Sequence, residues 1–344
     1  MPQINKPSSY FNTKLYTGNG STQSISGIGF QPDFTWIKVR STTGGHRLVD
    51  AVRGATKFLV SNATNAEGTD ATQVASLDSD GFTVGSDSAT NLNSGTFASW
   101  NWLASNTTAS NTDGSITSTV SANTTSGFSI VSYTGTGTAG TVGHGLNNAP
   151  EMIILKRRDG GSGNTNWFVG HKDLTSWGYR IFLNVNLAEA ADSDFLANTA
   201  PTSNHFSVST DISTNGSSGS QLAYCFHSVK GFSKFGGYTG NGSTNGPFIY
   251  TGFKPAWVMI KRTDSAHNWT IVDSTRSIND GSMEFLLADT SSAEDTDPFY
   301  DIVSNGFKLR DTALRVNASG GTYIYMCFAE APFTTSTGIP TTAR

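Results

Sequence analysis

The chain has 344 residues, 36% of them apolar and 14% charged, with a formal net charge of −4 and a pI near 5.8. So little charge excludes an acidic or basic disordered chain, and the mild acidity argues against nucleic acid, whose binders carry a basic stripe. Two cysteines cannot staple a chain of this length, and no apolar run reaches the roughly 18 residues of a membrane helix.

In chain order, Met1 to Ser9 lacks the apolar core of a signal peptide, so a soluble protein made in a cytoplasm is expected, with a short N-terminal arm suited to attachment. A series of blocks follows. Tyr16-Thr17-Gly18-Asn19-Gly20 is a tight turn, because Gly accepts positive φ. Pro32 precedes the apolar run Phe34 to Lys38, and Leu48-Val49-Asp50, Phe58-Leu59 and Asp80-Gly81-Phe82 come next. The aromatic run Phe97 to Leu103 closes the series. The polar stretch 106–125 reads as a linker.

The same blocks then return in the same order. In 126–230 they are Tyr133 to Gly137, Met152 to Lys156 after Pro150, Val169 to His171, Phe182-Leu183, Asn204-His205-Phe206 and Leu222 to His227. In 231–334 they are Tyr238 to Gly242, Trp257 to Lys261 after Pro255, Ile271 to Asp273, Phe285-Leu286, Asn305-Gly306-Phe307 and Tyr323 to Phe328. The three prolines are about 118 and 105 residues apart, the size of a small domain and too long for a solenoid repeat. The expectation is one segment copied twice, giving domains 8–105, 126–230 and 231–334, with 335–344 as a C-terminal arm.

Within each unit the apolar period is two, as at Phe128 to Tyr133, and Gly, Asn and Asp bound the runs. Seven or eight strands per unit predict an all-β protein of three tandem antiparallel β-sandwiches, jelly-roll-like. The best helical window is Asn186 to Phe195 with its counterparts. Trp36, Trp100, Trp102 and Trp257 read as core, as do Cys225 and Cys327, at matching strand positions.

Several constellations carry chemistry. Glu67 with Asp70, Glu189 with Asp192 and Glu294 with Asp297 repeat a Glu-x-x-Asp spacing. This suits either a hard cation such as Ca²⁺ or a short helical turn capped by its acids. The six histidines show no zinc spacing and read as surface or loop residues. Trp177, Tyr179 and Arg180, in a stretch peculiar to the second unit, offer either a stacking platform for a sugar or partner, or packing on their own domain. No nucleophile elbow, P-loop or dinucleotide fingerprint occurs, so neither a cofactor nor an enzyme is expected. A polysaccharide-cleaving glycosidase using Asp50, Asp273 or the acidic pairs is an alternative.

The blocks Tyr-Thr-Gly-Asn-Gly, Gly-Phe-x-Pro-x-x-x-x-x-Lys and Asp-Gly-Phe resemble a repeat domain of uncharacterised function in tailed-phage proteins, associated with marine and cyanobacterial phages. Gly18, Asn19, Gly20, Gly29, Phe30, Pro32 and Lys38 carry the resemblance, with Gly240, Asn241, Gly242, Gly252, Phe253, Pro255 and Lys261. The second unit departs, with Thr136 in place of Asn. The resemblance implies a virion protein assembled in the host cytoplasm, with other virion proteins of tail or capsid as partners. It implies no catalytic residues. The leading expectation is a tail-fibre or receptor-binding component that contacts a host glycan or protein, as an oligomer such as a trimer. The alternative is a capsid decoration or head-fibre protein.

Overall fold

Nine short strands form between Phe11 and Trp102 in the computed structural model, which describes residues 2–161, 165–277, 283–297 and 299–334. They are β1 (Phe11–Thr17), β2 (Gln23–Ser26), β3 (Phe34–Val39), β4 (Arg47–Asp50), β5 (Lys57–Leu59), β6 (Gly68–Thr69), β7 (Val74–Asp78), β8 (Gly81–Val84) and β9 (Thr96–Trp102). The larger sheet runs β1-β9-β3-β4-β5-β6 and the smaller β2-β8-β7, all antiparallel. Ile37, Val39, Val49 and Phe97 of the larger sheet pack on Ile25, Phe82 and Val84 of the smaller one, so the unit is a β-sandwich. First pairs with last and second with penultimate, as in a jelly roll; the meander from β3 to β6 is this fold's own.

The same order returns twice. In unit 2 it is Phe128–Thr134, Ser220–Phe226, Met152–Arg157, Phe168–His171, Tyr179–Phe182 and Ala190–Ala191. In unit 3 it is Ser233–Thr239, Thr322–Pro332, Phe253–Arg262, Thr270–Asp273, Met283–Leu287 and Asp295–Asp297. Each unit has an interior of its own between its two sheets.

A fourth and larger core lies between the units. Every residue of β3 is buried, because both faces of its sheet are covered. Phe34 and Trp36 face the centre of the molecule, while Ile37 and Val39 face the small sheet. At the centre the larger sheets of all three units meet through Trp36, Trp100, Trp102, Tyr224, Phe226, Trp257, Met326 and Phe328. Rings cross every boundary: Phe34 on Tyr224 (4.3 Å between centroids), Trp102 on Trp257 (5.7 Å) and Phe226 on Phe328 (6.1 Å). The apolar void left there, about 10 Å³ between residues such as Phe34, Trp102, Tyr224 and Trp257, takes no more than one water.

Several expectations are corrected. The supposed linker 106–125 contains the strands Ala109–Asn111 and Ser118–Asn123, which extend the large sheet of unit 2. Backbone pairing needs no apolar composition, and Ile116 and Val120 suffice to anchor the stretch in the core of unit 2. The expected N-terminal arm, Met1 to Ser9, is not free over its described residues 2–9: Ile4 is in the central core, and Gln3 exchanges hydrogen bonds with Lys230. The window Asn186 to Phe195 holds the short strand Ala190–Ala191 in place of a helix. The C-terminal arm 335–344 lies outside the described residues. Cys225 and Cys327 are free and buried, and burial pushes both thiols up.

The turn motif that opens each unit ties its sheets together. Tyr16, Tyr133 and Tyr238 donate from their hydroxyls to Thr90 O, Thr214 O and Val316 O. The buried amides of Asn91, Asn215 and Asn317 accept from the backbone N–H of Asn19, Thr136 and Asn241 and donate back into the same loops. A Cβ on Gly18, Gly135 or Gly240 would come within 2.3–2.4 Å of the carbonyl oxygen of Leu92, Gly216 or Ala318. Only glycine fits such an approach. The repeated Gly-rich block is therefore a structural joint. Its partner was readable as an Asn-x-x-x-Gly spacing ahead of each closing strand, at Asn91, Asn215 and Asn317.

Candidate functional site

The chemistry-bearing side chains of the repeat gather at three seams. Where unit 1 meets unit 2, Asp50 and Arg53 form an ion pair of 2.5 Å whose side chains are wholly buried. Asp50 also accepts from the hydroxyl of Tyr224 across the seam (2.8 Å). Glu67 binds Arg158 across it (2.8 Å) and Arg53 within its own unit (3.3 Å). Burial works to raise the Glu67 carboxyl, but Arg158 and Arg53 hold it below its ordinary value.

Where unit 3 meets unit 1 the arrangement recurs with the residues expected from the repeat. Asp273 pairs with Arg276 (2.5 Å) and accepts from the indole of Trp100 (2.9 Å). Glu294 binds Arg40 across the seam (2.6 Å) and Arg276 within its own unit (2.8 Å). This seam joins residues more than 250 positions apart and closes the three units into a ring.

The seam between units 2 and 3 departs. Asp becomes His171, Arg becomes Leu174 and the aromatic donor becomes Met326. Glu189 here accepts from the Thr175 backbone N–H and hydroxyl of its own unit. Two devices survive at all three seams. Glu67, Glu189 and Glu294 donate their backbone N–H to the carbonyls of Arg158, Thr263 and Arg40 (2.8–2.9 Å). Lys38, Lys156 and Lys261 each reach across to a backbone oxygen of the neighbouring unit, Ser291 O, Thr64 O or Asn186 O. Burial draws each of these amines down to about 8.

The Glu and the Asp of each repeated acidic pair thus have different partners. Asp70 accepts from Thr72, while Asp192 takes Arg180 and the Phe195 N–H, and Asp297 takes Arg315. The acids flank or lie in short strands and not helical turns. Among the described residues no group of three or more His, Cys, Asp or Glu is placed to hold a metal ion. Asp50 and Asp273, the glycosidase alternative, are sealed inside their seams.

Trp177 is half-buried and packs against the interior of unit 2. Tyr179 packs on the central core, and Arg180 lies over Phe182 (4.1 Å) and pairs with Asp192 (3.3 Å). The three do not share one open face. The histidines are not all at the surface: His46, His144 and His171 are fully buried. His46 accepts from the Trp36 indole and bonds Leu287 O across a seam.

An open aromatic face does exist, on unit 3. Its small sheet begins with Phe248–Tyr250, where Ile249 points inward and Phe248 and Tyr250 point to solvent, 46% and 55% exposed. The strand register places Ser24 and Ser26 at these positions in unit 1, and Thr141 and Gly143 in unit 2. The sequence carried only the alternation Phe248-Ile249-Tyr250; aligned at Gly29-Phe30 and Gly252-Phe253, units 1 and 3 are one residue out of step here, and the strand register is what matches them.

The fold and its seams define a class: a closed ring of three β-sandwiches with one common core. The family model for a domain of unknown function, DUF7483, matches residues 6–332, and the chain belongs to that family. The match runs across all three units. No curated protein matches the chain.

Proposed function

We propose that this protein is a non-enzymatic virion component, a tail-fibre or receptor-binding element that contacts the host surface. The observation that carries the reading is the division of chemistry between inside and outside. The charged side chains that recur in the repeat close the ring, whereas the departure on the solvent side is an exposed aromatic pair in one unit only. Exposed aromatics beside polar groups are what a contact surface uses. The burial of Asp50 and Asp273 under arginine supports binding over hydrolysis. The three units are read as copies of one ancestral segment, and the stretch 2–9, docked on the ring, leaves attachment to other virion proteins to the outer faces.

The test is a pull-down on host cells with the purified protein and with a Phe248→Ser, Tyr250→Ser double variant. The intact protein is expected to sediment with cells and the variant to stay in solution. Equal behaviour of the two would count against the reading. The threefold closure favours a second one, decoration of a capsid shell at sites of local threefold symmetry. Many copies on the shell of a particle reconstruction would select it, and a few at the tail would select the first.

A further inference from the structure

We infer that the outer face of unit 3 is a binding site for an acidic saccharide, a pyranose bearing a carboxylate or a sulfate. The inference deepens the host-contact reading and rests on it. Phe248 and Tyr250 are two residues apart on one edge strand, so their Cα atoms lie about 7 Å apart and both side chains stand on the same side. Each has an ammonium beside it. The Lys234 Nζ sits 5.4 Å from the centre of the Tyr250 ring, fixed by its hydrogen bond to Tyr250 O (2.6 Å). Lys308 is directly opposite Phe248 in the sheet, and its Nζ donates to Gly246 O (2.8 Å).

The neighbouring charges are already paired, Arg310 with Asp301 and Lys254 with Glu330. Among the described residues neither Lys234 nor Lys308 has a carboxylate in ion-pair range. The face therefore offers two rings for the C–H side of a sugar and two ammonium groups for its anionic substituents. Two aromatic–ammonium pairs side by side suit successive units of a polymer. A neutral sugar would leave the ammonium groups without a counter-charge, and a purely apolar partner would lie over them at a desolvation cost. The supporting contrast is internal: unit 1 has serine at both aromatic positions, and its small sheet keeps the same strand pairing.

Affinity electrophoresis of the full chain in gels containing polygalacturonate, dextran sulfate or plain dextran tests the proposal. Retardation is expected with at least one charged polymer, weaker at high salt, and not with dextran. Polygalacturonate alone would assign carboxylate recognition, dextran sulfate alone sulfate recognition. Phe248→Ser with Tyr250→Ser is expected to weaken the retardation about tenfold, and Lys234→Gln with Lys308→Gln to do the same. The serine variant places at each site the residue unit 1 already has there, and a matching circular dichroism spectrum checks that it folds. Absence of retardation by both charged polymers, or full retardation of the serine variant, would overturn the inference. If host-cell sedimentation still depended on Phe248 and Tyr250 in that event, the face would belong to a protein partner and the host-contact reading would stand.

Discussion

The seam between units 3 and 1 and the seam between units 2 and 3 join the same strands by opposite means. At the first, Asp273, Arg276, Glu294, Arg40 and the Trp100 indole form a buried charged cluster. At the second, His171, Leu174 and Met326 stand in the corresponding places, and the seam is bonded by the Glu189 N–H to Thr263 O, the reach of Lys261 to Asn186 O and the Trp269 indole to Phe182 O. Four positions on two units differ together between the seams: His171, Leu174, Thr263 and Met326 form a mostly apolar set where the other seam has a mutually satisfied polar one. A buried ion pair and a well-packed apolar replacement are close in net stability, whereas half of either is costly. The ring therefore tolerates both kinds of seam but not a mixture.

That comparison can be broken most severely by mixing. Arg276→Leu, which installs at the charged seam the residue of the apolar one, leaves Asp273 and Glu294 without their shared guanidinium. A loss of about 3–5 kcal/mol in urea unfolding is expected. A loss below about 1 kcal/mol would show that the cluster does not hold the seam.

The reverse exchange sharpens it. His171→Asp alone buries a carboxylate without a guanidinium and is expected to cost about 3 kcal/mol, whereas His171→Asp with Leu174→Arg recovers about 2 kcal/mol or more of it. A double-mutant cycle reads this coupling directly, and additive effects of the two changes would refute it.

Acid provides the third and smallest effect. Burial draws His171 and His144 down to about 4 and His46 to about 3, from an ordinary 6.5. The unfolded chain then binds more protons than the folded one below pH 6.5, so stability falls as the pH drops from 6.5 towards 4. Asp33, raised by burial to about 6, opposes this slope between pH 4 and 6, as do Asp289 and Asp297, also raised by burial, while His227 and His267, lowered by burial, add to it. His171 is the histidine of the apolar seam, and its Nε2 makes no hydrogen bond. His171→Leu is therefore expected to remove about 2–3 kcal/mol of the acid dependence, read as a flatter curve of unfolding midpoint against pH. An unchanged curve would show that His171 does not titrate with unfolding.

The outer faces repeat the lesson on the solvent side. Ser24 and Ser26 in unit 1 and Phe248 and Tyr250 in unit 3 occupy one strand position in one fold. Inward residues between them, Ile25 and Ile249, stay apolar because they fill the sandwich. The outward ones are free to differ because they are exposed and fill no part of the sandwich interior.

Much of this was legible in one dimension. Strand class, the threefold recurrence of blocks and the buried tryptophans all follow from alternation and turn residues, since these depend on neighbours close along the chain. Residues 106–125 and the helical window at Asn186 misled for the same reason. A short polar strand is made by the partner it pairs with, and that partner is not written into its own residues. Tertiary structure alone decided what the repeated acids do. Glu67 and Glu294 look like cation ligands when read beside Asp70 and Asp297, yet Arg158 and Arg40, brought from other units, claim them. Sequence determined the sandwich because its pattern is local. Closure of the ring decided the common core and the seams, because contacts across some 90 to 250 residues exist only once the three sheets turn their apolar faces towards one another.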